Sequence, residues 1–237
     1  MTVKYRRKIS SDVFTPTRQS EKEQLLARKD PRRVCEILGK MMTDERRATI
    51  DNVVANRTQM LHVAIEGVHD PHNTAAIIRS ADAFGIQNIH IIEGATRFKS
   101  SAAVTQGAHK WVDVHVYADT SSFLEKMRDQ QMRVFVAAMD GAVAVANVDI
   151  TTPLVLVFGN EAEGISAQMR AGADGAFRIP MFGFVESFNV SVAAGITIAM
   201  LRQHGGGDLS EPERDILVAR YYLRSVRAGY DIVNRLQ

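Results

Sequence analysis

The sequence predicts an α/β fold built on a parallel sheet, and three observations carry this prediction. From Met60 onward, short runs rich in β-branched residues alternate with helical patterns, which is the order of a parallel sheet covered by helices. The run LVLVF before Gly159 has no polar alternation, as expected of a central strand that is buried on both faces. Helical patterns also precede and follow this region, so flanking helices are expected at both ends of the sheet domain.

The predicted strands lie within MLHVAIEGV, IQNIHIIEG, WVDVHVY, MRVFVAAM and PLVLVFG. The intervening helical patterns are DPHNTAAIIRSADAFG and TSSFLEKMRDQ, and the first of them is expected to begin at about Thr74, with Asp70 or Asn73 as its cap. Loops at the carboxyl ends of parallel strands are where α/β proteins bind ligands. The site is therefore sought after Val68, Met139, Phe158 and Met181.

Two helical patterns, PRRVCEILGKMM and TDERRATIDNVVANR, precede the sheet, and Thr43 is a suitable N-cap for the second. At the other end, Ser210-Glu-Pro-Glu213 has the form of a capping box that begins a long helix. Apolar residues of that helix recur every three or four positions, so we expect a seam that packs against the N-terminal helices. The seam comprises Ile216, Ala219, Leu223, Val226, Tyr230 and Val233.

A chain of 237 residues suits one domain with appendages better than two equal domains. The predicted organisation has a basic, flexible arm at 1–30, a helical layer at 31–58, the α/β domain at 59–204, and a linker with an amphipathic helix at 205–237.

The net charge of +2 is unevenly distributed along the chain. Residues 1–33 hold ten Lys or Arg against four Asp or Glu, a net of +6, which leaves −4 for the rest by subtraction. Such an arm attracts phosphate backbones without sequence selection, and a solvated charged tail is an equal alternative. Arginines at 220, 224 and 227 share one face of the last helix, which either meets nucleic acid or lies in solvent.

Membrane, disulfide and metal chemistry are all disfavoured by the sequence. Apolar stretches are interrupted before they could cross a bilayer, and no signal peptide is recognisable, so a cytoplasmic location without a membrane partner is expected. The single cysteine, Cys35, excludes an intramolecular disulfide and a Cys-rich zinc site. His69 and His72 lack a second ligand cluster, so they are expected to shape a turn and to bind no metal.

The loop GNEAEGIS after the buried strand has the glycine spacing of a phosphate-binding loop but not its chemistry. Ile165 stands where the lysine belongs, and Glu161 and Glu163 would repel phosphate. This acidic loop suits a cationic ligand or the orientation of an arginine. Arg79 is a candidate for that arginine, although Arg79 and Asp82 at i, i+3 could equally form only a surface ion pair.

Three segments together resemble a known set of motifs. DPHNTAAIIRSADAFGIQNIHII, LVLVFGNEAEGIS and IPMFGFVESFNVSVAAGITI are similar, in order and spacing, to the three motifs of the SpoU family of SPOUT RNA methyltransferases. The likeness is greatest to the TrmH branch, which methylates ribose 2′-oxygens of tRNA, with guanosine 18 of the D-loop as the implied target. It extends from about Thr43 into the C-terminal helix and leaves out residues 1–30.

The resemblance implies a parallel-sheet SPOUT domain with a C-terminal trefoil knot, a topology that general rules would not predict. It also implies a homodimer and S-adenosylmethionine as cofactor. The backbone groups that would hold the cofactor are those around Ala137, Gly159, Ile179, Met181 and Phe188. Family members commonly have leucine at the position of Phe188, and glutamine where Asn160 stands, so details of the adenine pocket are expected to differ.

The resemblance also assigns the catalytic roles. Arg79 is similar to the family's catalytic arginine and Asn73 to the asparagine beside it, while Glu161, Ser187 and Asn189 are similar to the polar residues around them. A ribose hydroxyl is a weak nucleophile that must lose its proton as it attacks a methyl group in line with sulfur.

Two versions of the arginine's role remain open at this point. The family proposal makes the arginine the general base, although a guanidinium ordinarily has a pKa above 12. Either a nearby cation, such as the sulfonium, lowers the pKa of the guanidinium, or Arg79 stays charged and stabilises the developing oxyanion while another group or the RNA phosphate accepts the proton. Glu161 would orient the guanidinium in both versions.

The alternatives in function are a 2′-O-methyltransferase of rRNA or of another tRNA nucleoside, and a catalytically silent RNA-binding relative. The presence of all five motif-matched polar residues argues against the silent relative. RNA recognition is expected to use shape, phosphates and 2′-hydroxyls, because no aromatic platform of the RRM type is recognisable.

Deletion of residues 1–30 should weaken tRNA binding and flatten its salt dependence. The reason is that Lys4, Arg6, Arg7 and Lys8 could each release counterions from the RNA backbone. Binding isotherms measured at several salt concentrations test this. An unchanged affinity at every concentration would leave the arm as a solvated tail.

Overall fold

A computed structural model describes residues 28–93 and 110–235 of the chain. It confirms the α/β prediction, since a seven-stranded sheet in the order β3-β2-β1-β6-β4-β7-β5 has all its strand pairs parallel. The strands are β1 Leu61–Glu66, β2 Asn88–Ile92, β3 Asp113–Tyr117, β4 Arg133–Ala137, β5 Val143–Ala144, β6 Leu154–Phe158 and β7 Gly175–Arg178.

Helices cover both faces of the sheet, and further helices precede and follow the sheet region in the chain. They are α1 Pro31–Gly39, α2 Asp44–Ala55, α3 Pro71–Ala83, α4 Thr120–Asp129, α5 Ala167–Gly172, α6 Val190–Leu201, α7 Glu211–Ser225 and α8 Gly229–Asn234, with a short 3-10 helix at Val145–Asn147. None of the described helices combines the length and the apolarity that a membrane span requires.

The core lies in two layers separated by the sheet. On one face, Ile77, Ile78 and Ala194 of α3 and α6 pack against strands β1 and β6. On the other face, Phe123 and Met169 of α4 and α5 pack against β4 and β6. Strand β6 is buried along its whole length, which confirms the prediction made from its unbroken apolar run.

A third apolar cluster joins the N-terminal helices α1 and α2 to α7. Thr43 caps α2 by accepting a hydrogen bond from the Arg46 amide, and Ser210 and Glu213 form the predicted capping box of α7. The packing partner of the C-terminal helix is therefore the predicted one. An ion pair between Arg32 of α1 and Asp215 of α7, with an N–O distance of 2.7 Å, adds to this helix packing.

The C-terminal helix is shorter than its apolar seam indicates. It ends at Ser225, and Ala228 adopts a left-handed conformation with φ 57° before α8 begins. The prediction of one continuous helix is wrong, because the left-handed residue redirects the chain after one long segment. Ile216 is also 41% exposed, so the seam does not include it.

Two short strands that periodicity did not predict complete the sheet edge. Strand β7 lies between β4 and β5, although β4 and β5 are joined directly by residues 138–142. That connection passes close over β7, since a Cβ added at Gly141 would lie 2.4 Å from the carbonyl carbon of Phe177. Only glycine permits this crossing.

Histidines from neighbouring strands stack on the face that α4 covers. His62 Nδ1 lies 2.9 Å from His90 Nε2, and His90 Nδ1 lies 3.0 Å from the Tyr117 hydroxyl. The His90 ring also stacks on His115. Burial, followed by the positive charge that His115 can carry, lowers the pKa of His62 to about 4. Burial, with His62 and His115 next in importance, holds the pKa of His90 well below its ordinary value.

Stability should therefore fall as the pH falls from about 6.5 towards 4. Both buried histidines are neutral in the folded chain, whereas the unfolded chain takes up protons below its ordinary histidine pKa. For His62 alone, the free energy of unfolding should drop by about 2 kcal/mol between pH 7.5 and pH 5. Urea titrations at both pH values measure it. His62→Gln should reduce the difference, and His204→Gln, at an exposed histidine outside this cluster, should retain it; equal pH dependence in both variants would contradict this assignment.

Candidate active site

The loops that carry the three motifs meet at the carboxyl edge of the sheet. They follow β1, β6 and β7, and the loop after β4 borders them. Asp70 caps α3 by accepting a hydrogen bond from the His72 amide at 2.8 Å. Since Asp70 supplies the cap, Asn73 in the first turn of α3 is left to project towards the neighbouring loops.

Asn73 joins the other two motifs by hydrogen bonds. Its amide nitrogen donates to Glu161 Oε1 at 2.5 Å, and its amide oxygen accepts from Asn189 Nδ2 at 3.1 Å. A side-chain amide can do both at once because it carries donors and an acceptor. Glu161 and Asn189 lie 88 and 116 positions from Asn73 in the sequence. These hydrogen bonds therefore connect three distant parts of the chain.

Asn189 is placed by its second role as the N-cap of α6. Its side-chain oxygen accepts hydrogen bonds from the Ser191 amide at 2.8 Å and from the Ser191 hydroxyl at 2.6 Å. With that oxygen engaged, the amide nitrogen is the group that faces Asn73. The polar residues at the mouth of an apolar helix therefore serve both the helix end and the site.

The acidic loop is held rigid by two residues that the sequence reading missed as site residues. Asn160 donates to the Gly67 carbonyl at 2.7 Å and accepts from the Ala162 amide at 2.7 Å. Glu66, almost fully buried at the end of β1, accepts from both the Ser166 hydroxyl and the Thr120 hydroxyl at 2.7 Å. A carboxylate ending an apolar strand was the signal that could have identified Glu66.

A cavity of about 870 Å³ opens beside these contacts, between the loops after β4, β6 and β7. All five residues predicted to hold a cofactor line it, and so do Glu161 and Ser187. The five are Ala137, Gly159, Ile179, Met181 and Phe188. Acidic groups of Asp140, Glu163 and Glu186 also face this space.

Arg79 does not join the chain of hydrogen bonds. It is exposed on α3, and within residues 28–93 and 110–235 it has no hydrogen-bond or ion-pair partner. The alternative of an Arg79–Asp82 surface pair is wrong, because Asp82 is paired with Arg57 at 2.5 Å. Ser187 lines the cavity but likewise makes no hydrogen bond to the described residues.

The residues predicted to bind RNA have different outcomes. Lys4, Arg6, Arg7 and Lys8 lie outside the described residues. Arg227 is exposed. Arg224 donates to the Lys110 carbonyl.

Arg220 is turned into the protein, so its side chain is not placed for an RNA contact. It lies 2.6 Å from both carboxylate oxygens of Asp113 on β3, and both side chains are about 15% exposed. Burial alone would raise the pKa of Asp113, but the Arg220 charge and a hydrogen bond from Gln87 outweigh it and lower that pKa. Arg220 therefore attaches α7 to the sheet edge, and the expectation for it is corrected to a structural role.

Two similar proteins are described as tRNA-modifying enzymes. A tRNA (guanosine(18)-2′-O)-methyltransferase of Thermus thermophilus is 36% identical over 66% of this chain and 81% of its own. The crystal structure of the A. aeolicus TrmH/SpoU tRNA modifying enzyme has a TM-score of 0.68 at 28% identity, over 78% of this chain and 98% of its own.

A third likeness is to an AdoMet-bound rRNA methyltransferase from Sinorhizobium meliloti, with a TM-score of 0.57 at 28% identity over 65% of this chain and 60% of its own. The model of the SpoU rRNA Methylase family matches residues 60–199, which is more than half of the chain. The chain belongs to the SpoU methylase family.

Proposed function

We propose that this protein transfers a methyl group from S-adenosylmethionine to a ribose 2′-hydroxyl of tRNA, at guanosine 18 of the D-loop. The observation that carries the proposal is the contact of Asn73 with Glu161 and Asn189 at the rim of the cavity. The Thermus thermophilus relative and the A. aeolicus structure, both named as tRNA-modifying enzymes, support tRNA as the substrate class.

The residues of the cavity fit S-adenosylmethionine. Its volume of about 870 Å³ lies within the range of roughly 300–1,000 Å³ that is typical of small-molecule pockets. A Cβ added at Gly159 would lie 2.3 Å from the Gly164 carbonyl oxygen, so the loop can close into its cradle only with glycine there. The carboxylates of Asp140, Glu161, Glu163 and Glu186 outnumber the two guanidiniums in the lining, those of Arg170 and Arg178. This excess of negative charge suits a ligand that carries a sulfonium and an ammonium group.

When bound, S-adenosylmethionine supplies the electrophilic methyl group. It would be held by backbone groups around Ala137, Gly159, Ile179, Met181 and Phe188. The protein's own task is to bring the ribose hydroxyl into line with the methyl group and the sulfur, and to stabilise the negative charge that develops on the hydroxyl oxygen.

The polar side chains would divide that task. Glu161, fixed by Asn73, presents a carboxylate that can orient a guanidinium. Asn189 fixes Asn73 in turn, and Ser187 at the cavity lining is free to contact the ribose. Arg79 either accepts the hydroxyl proton, having first lost its own, or remains charged and stabilises the oxyanion while another group or the RNA phosphate accepts the proton. In both versions the guanidinium must be free to turn towards Glu161 and the ribose.

The trefoil knot is part of the proposal. Its support is the position of β7 between β4 and β5, beneath the connection at residues 138–142 that joins those two strands. A chain that leaves β7 past this connection and then packs α6 on α3 is consistent with threading through a loop. We also propose that the chain is divided into a helical layer at 31–58, the α/β domain at 59–204, and a linker with an amphipathic helix at 205–237.

A homodimer is proposed for the apolar surface around α6. Val192 and Met200 of α6 are exposed, and Phe182 and Phe184 in the preceding loop are fully exposed. An apolar area of this kind beside a binding cavity is typical of an interface. The occupant that we propose is a second copy of this chain. A cytoplasmic location accompanies tRNA as the substrate.

RNA would be held outside the cavity by the arm at 1–30 and by the exposed cation of Arg227. Phosphate contacts of this kind fix position but carry no base information. The choice of guanosine 18 would then depend on the shape of the D-loop region and on contacts at the cavity rim.

Gly159→Ala should weaken the binding of S-adenosylmethionine by at least about tenfold while the fold persists. The added methyl group collides with backbone atoms of Gly164 and Ile165, so the loop must open where the cofactor is held. Isothermal titration measures the affinity. Gly183→Ala is the matched control, since nothing lies within 4 Å of its Cβ; equal affinity in both variants would remove the loop from the cofactor site.

Arg79→Ala should lower kcat for methyl transfer by about 10²- to 10³-fold, while cofactor affinity is retained. The assay uses purified protein, labelled S-adenosylmethionine and unmodified tRNA transcript, and mass spectrometry then locates the methyl group.

Transcripts of rRNA serve as competing substrates. Methylation of rRNA alone would favour the alternative substrate, cofactor binding without transfer would favour the silent relative, and normal turnover by Arg79→Ala would remove Arg79 from the mechanism.

A further inference from the structure

Arg57 is a fully buried arginine in the segment between α2 and β1. Its guanidinium donates to Asp82 Oδ1 at 2.5 Å and to the Ile86 carbonyl at 3.3 Å. The guanidinium carbon also lies 5.8 Å from the centre of the Tyr221 ring. A buried charge is tolerated only when it is paired and hydrogen-bonded, and Asp82 supplies the pairing carboxylate.

Asp82 lies on α3, three residues after Arg79. Side chains at i and i+3 of a helix are neighbours, so the Asp82 carboxylate is within reach of two arginines. It cannot serve both in full. An exposed i, i+3 pair is worth only about 0.2–0.5 kcal/mol, whereas removal of one partner from a buried pair typically costs several times more. Arg57 therefore wins the competition, as the observed pairing shows.

Further contacts around Arg57 make this outcome stable. Its own carbonyl accepts from the Asp208 amide at 3.2 Å, and a Cβ at Gly207 would lie 2.8 Å from the same carbonyl oxygen. The linker before α7 is thus packed over the backbone at Arg57. With both side chain and main chain enclosed, Arg57 has no alternative position from which it could release Asp82.

We infer that Arg57 is a positioning residue, which keeps the Arg79 guanidinium available to Glu161 and the ribose by holding the Asp82 carboxylate, which would otherwise compete for it. The inference rests on the proposed function of Arg79. Within the part of the chain that the structure describes, Arg79 has no acidic partner. Its guanidinium is therefore free to turn towards the site.

The inference holds for both versions of the role of Arg79. A carboxylate further along α3 would draw the guanidinium away from Glu161 and the ribose hydroxyl, which would slow general-base catalysis. The same carboxylate weakens the positive potential at a developing oxyanion, which would slow electrostatic catalysis. In either case the affected quantity is the rate of the chemical step, and the binding of cofactor and tRNA is left largely unchanged.

The first test releases Asp82 and then removes its charge. Arg57→Met should lower kcat about three- to tenfold, with both KM values within about twofold of the wild type. Adding Asp82→Asn in the same chain should restore kcat to within about twofold, although this double variant also lacks the ion pair. Assays are run well below the melting temperature of each variant, so that stability does not set the rate.

The second test leaves Arg57 and Asp82 intact. Ala83 is exposed at the end of α3, four residues after Arg79, so Ala83→Glu places a new carboxylate one turn from the guanidinium. It should lower kcat about three- to tenfold, and the neutral control Ala83→Gln should not. This pair of variants decides the question even where Arg57→Met fails to fold.

The outcomes separate this inference from the proposed function. If the wild type methylates tRNA and Arg79→Ala does not, equal rates for Ala83→Glu and Ala83→Gln overturn the positioning role alone. Failure of Asp82→Asn to restore a folded Arg57→Met variant overturns it as well, since a purely structural role predicts no rescue. A wild type that transfers no methyl group, or an Arg79→Ala variant with normal turnover, overturns the proposed function together with this inference.

Discussion

The amide of Asn73 is the contact on which the site depends. It donates to Glu161 and accepts from Asn189, so it joins loops that follow three different strands. A carboxylate has no donor and an alkyl side chain has neither group, whereas the amide offers donors and an acceptor on one planar group. The parallel sheet makes the contact possible, since it brings the carboxyl ends of distant strands to one edge.

The rim of the site is exposed, and its rigidity therefore comes from the groups beneath it. The acidic loop forms a tight turn in which Asn160 and Gly164 exchange backbone hydrogen bonds of 3.0 and 2.9 Å. Below the turn, Glu66 accepts from the Ser166 amide at 3.0 Å and from two hydroxyls. A buried carboxylate with three donors satisfies its lone pairs without a counterion. Glu161 consequently stands on a fixed base although its own side chain is exposed to solvent.

Local patterns predicted the parts of the fold that local energetics decide. Cap residues, the apolar run of β6 and the packing partner of α7 were read correctly, because each depends on neighbouring residues or on one apolar face. Strands β5 and β7 have two and four residues, which is too short for a periodic signal. At the break, Gly229 follows Ala228, but the regular spacing of the apolar seam on both sides concealed this marker. The pairing of Asp82 with Arg57, 25 residues away, depends on tertiary packing that spacing along a helix cannot reveal.

Arginines of this chain differ in function because they differ in what neutralises them. Arg57 and Arg220 are enclosed and each has an aspartate. Arg57 joins the segment after α2 to α3, and Arg220 joins α7 to β3. The aspartates are bound in turn and cannot act elsewhere. Arg79 lies on the same helix as one of them, yet it remains exposed. Because Asp82 is paired with Arg57, it does not compete for the Arg79 guanidinium, which is left free to turn towards Glu161 and a bound ribose.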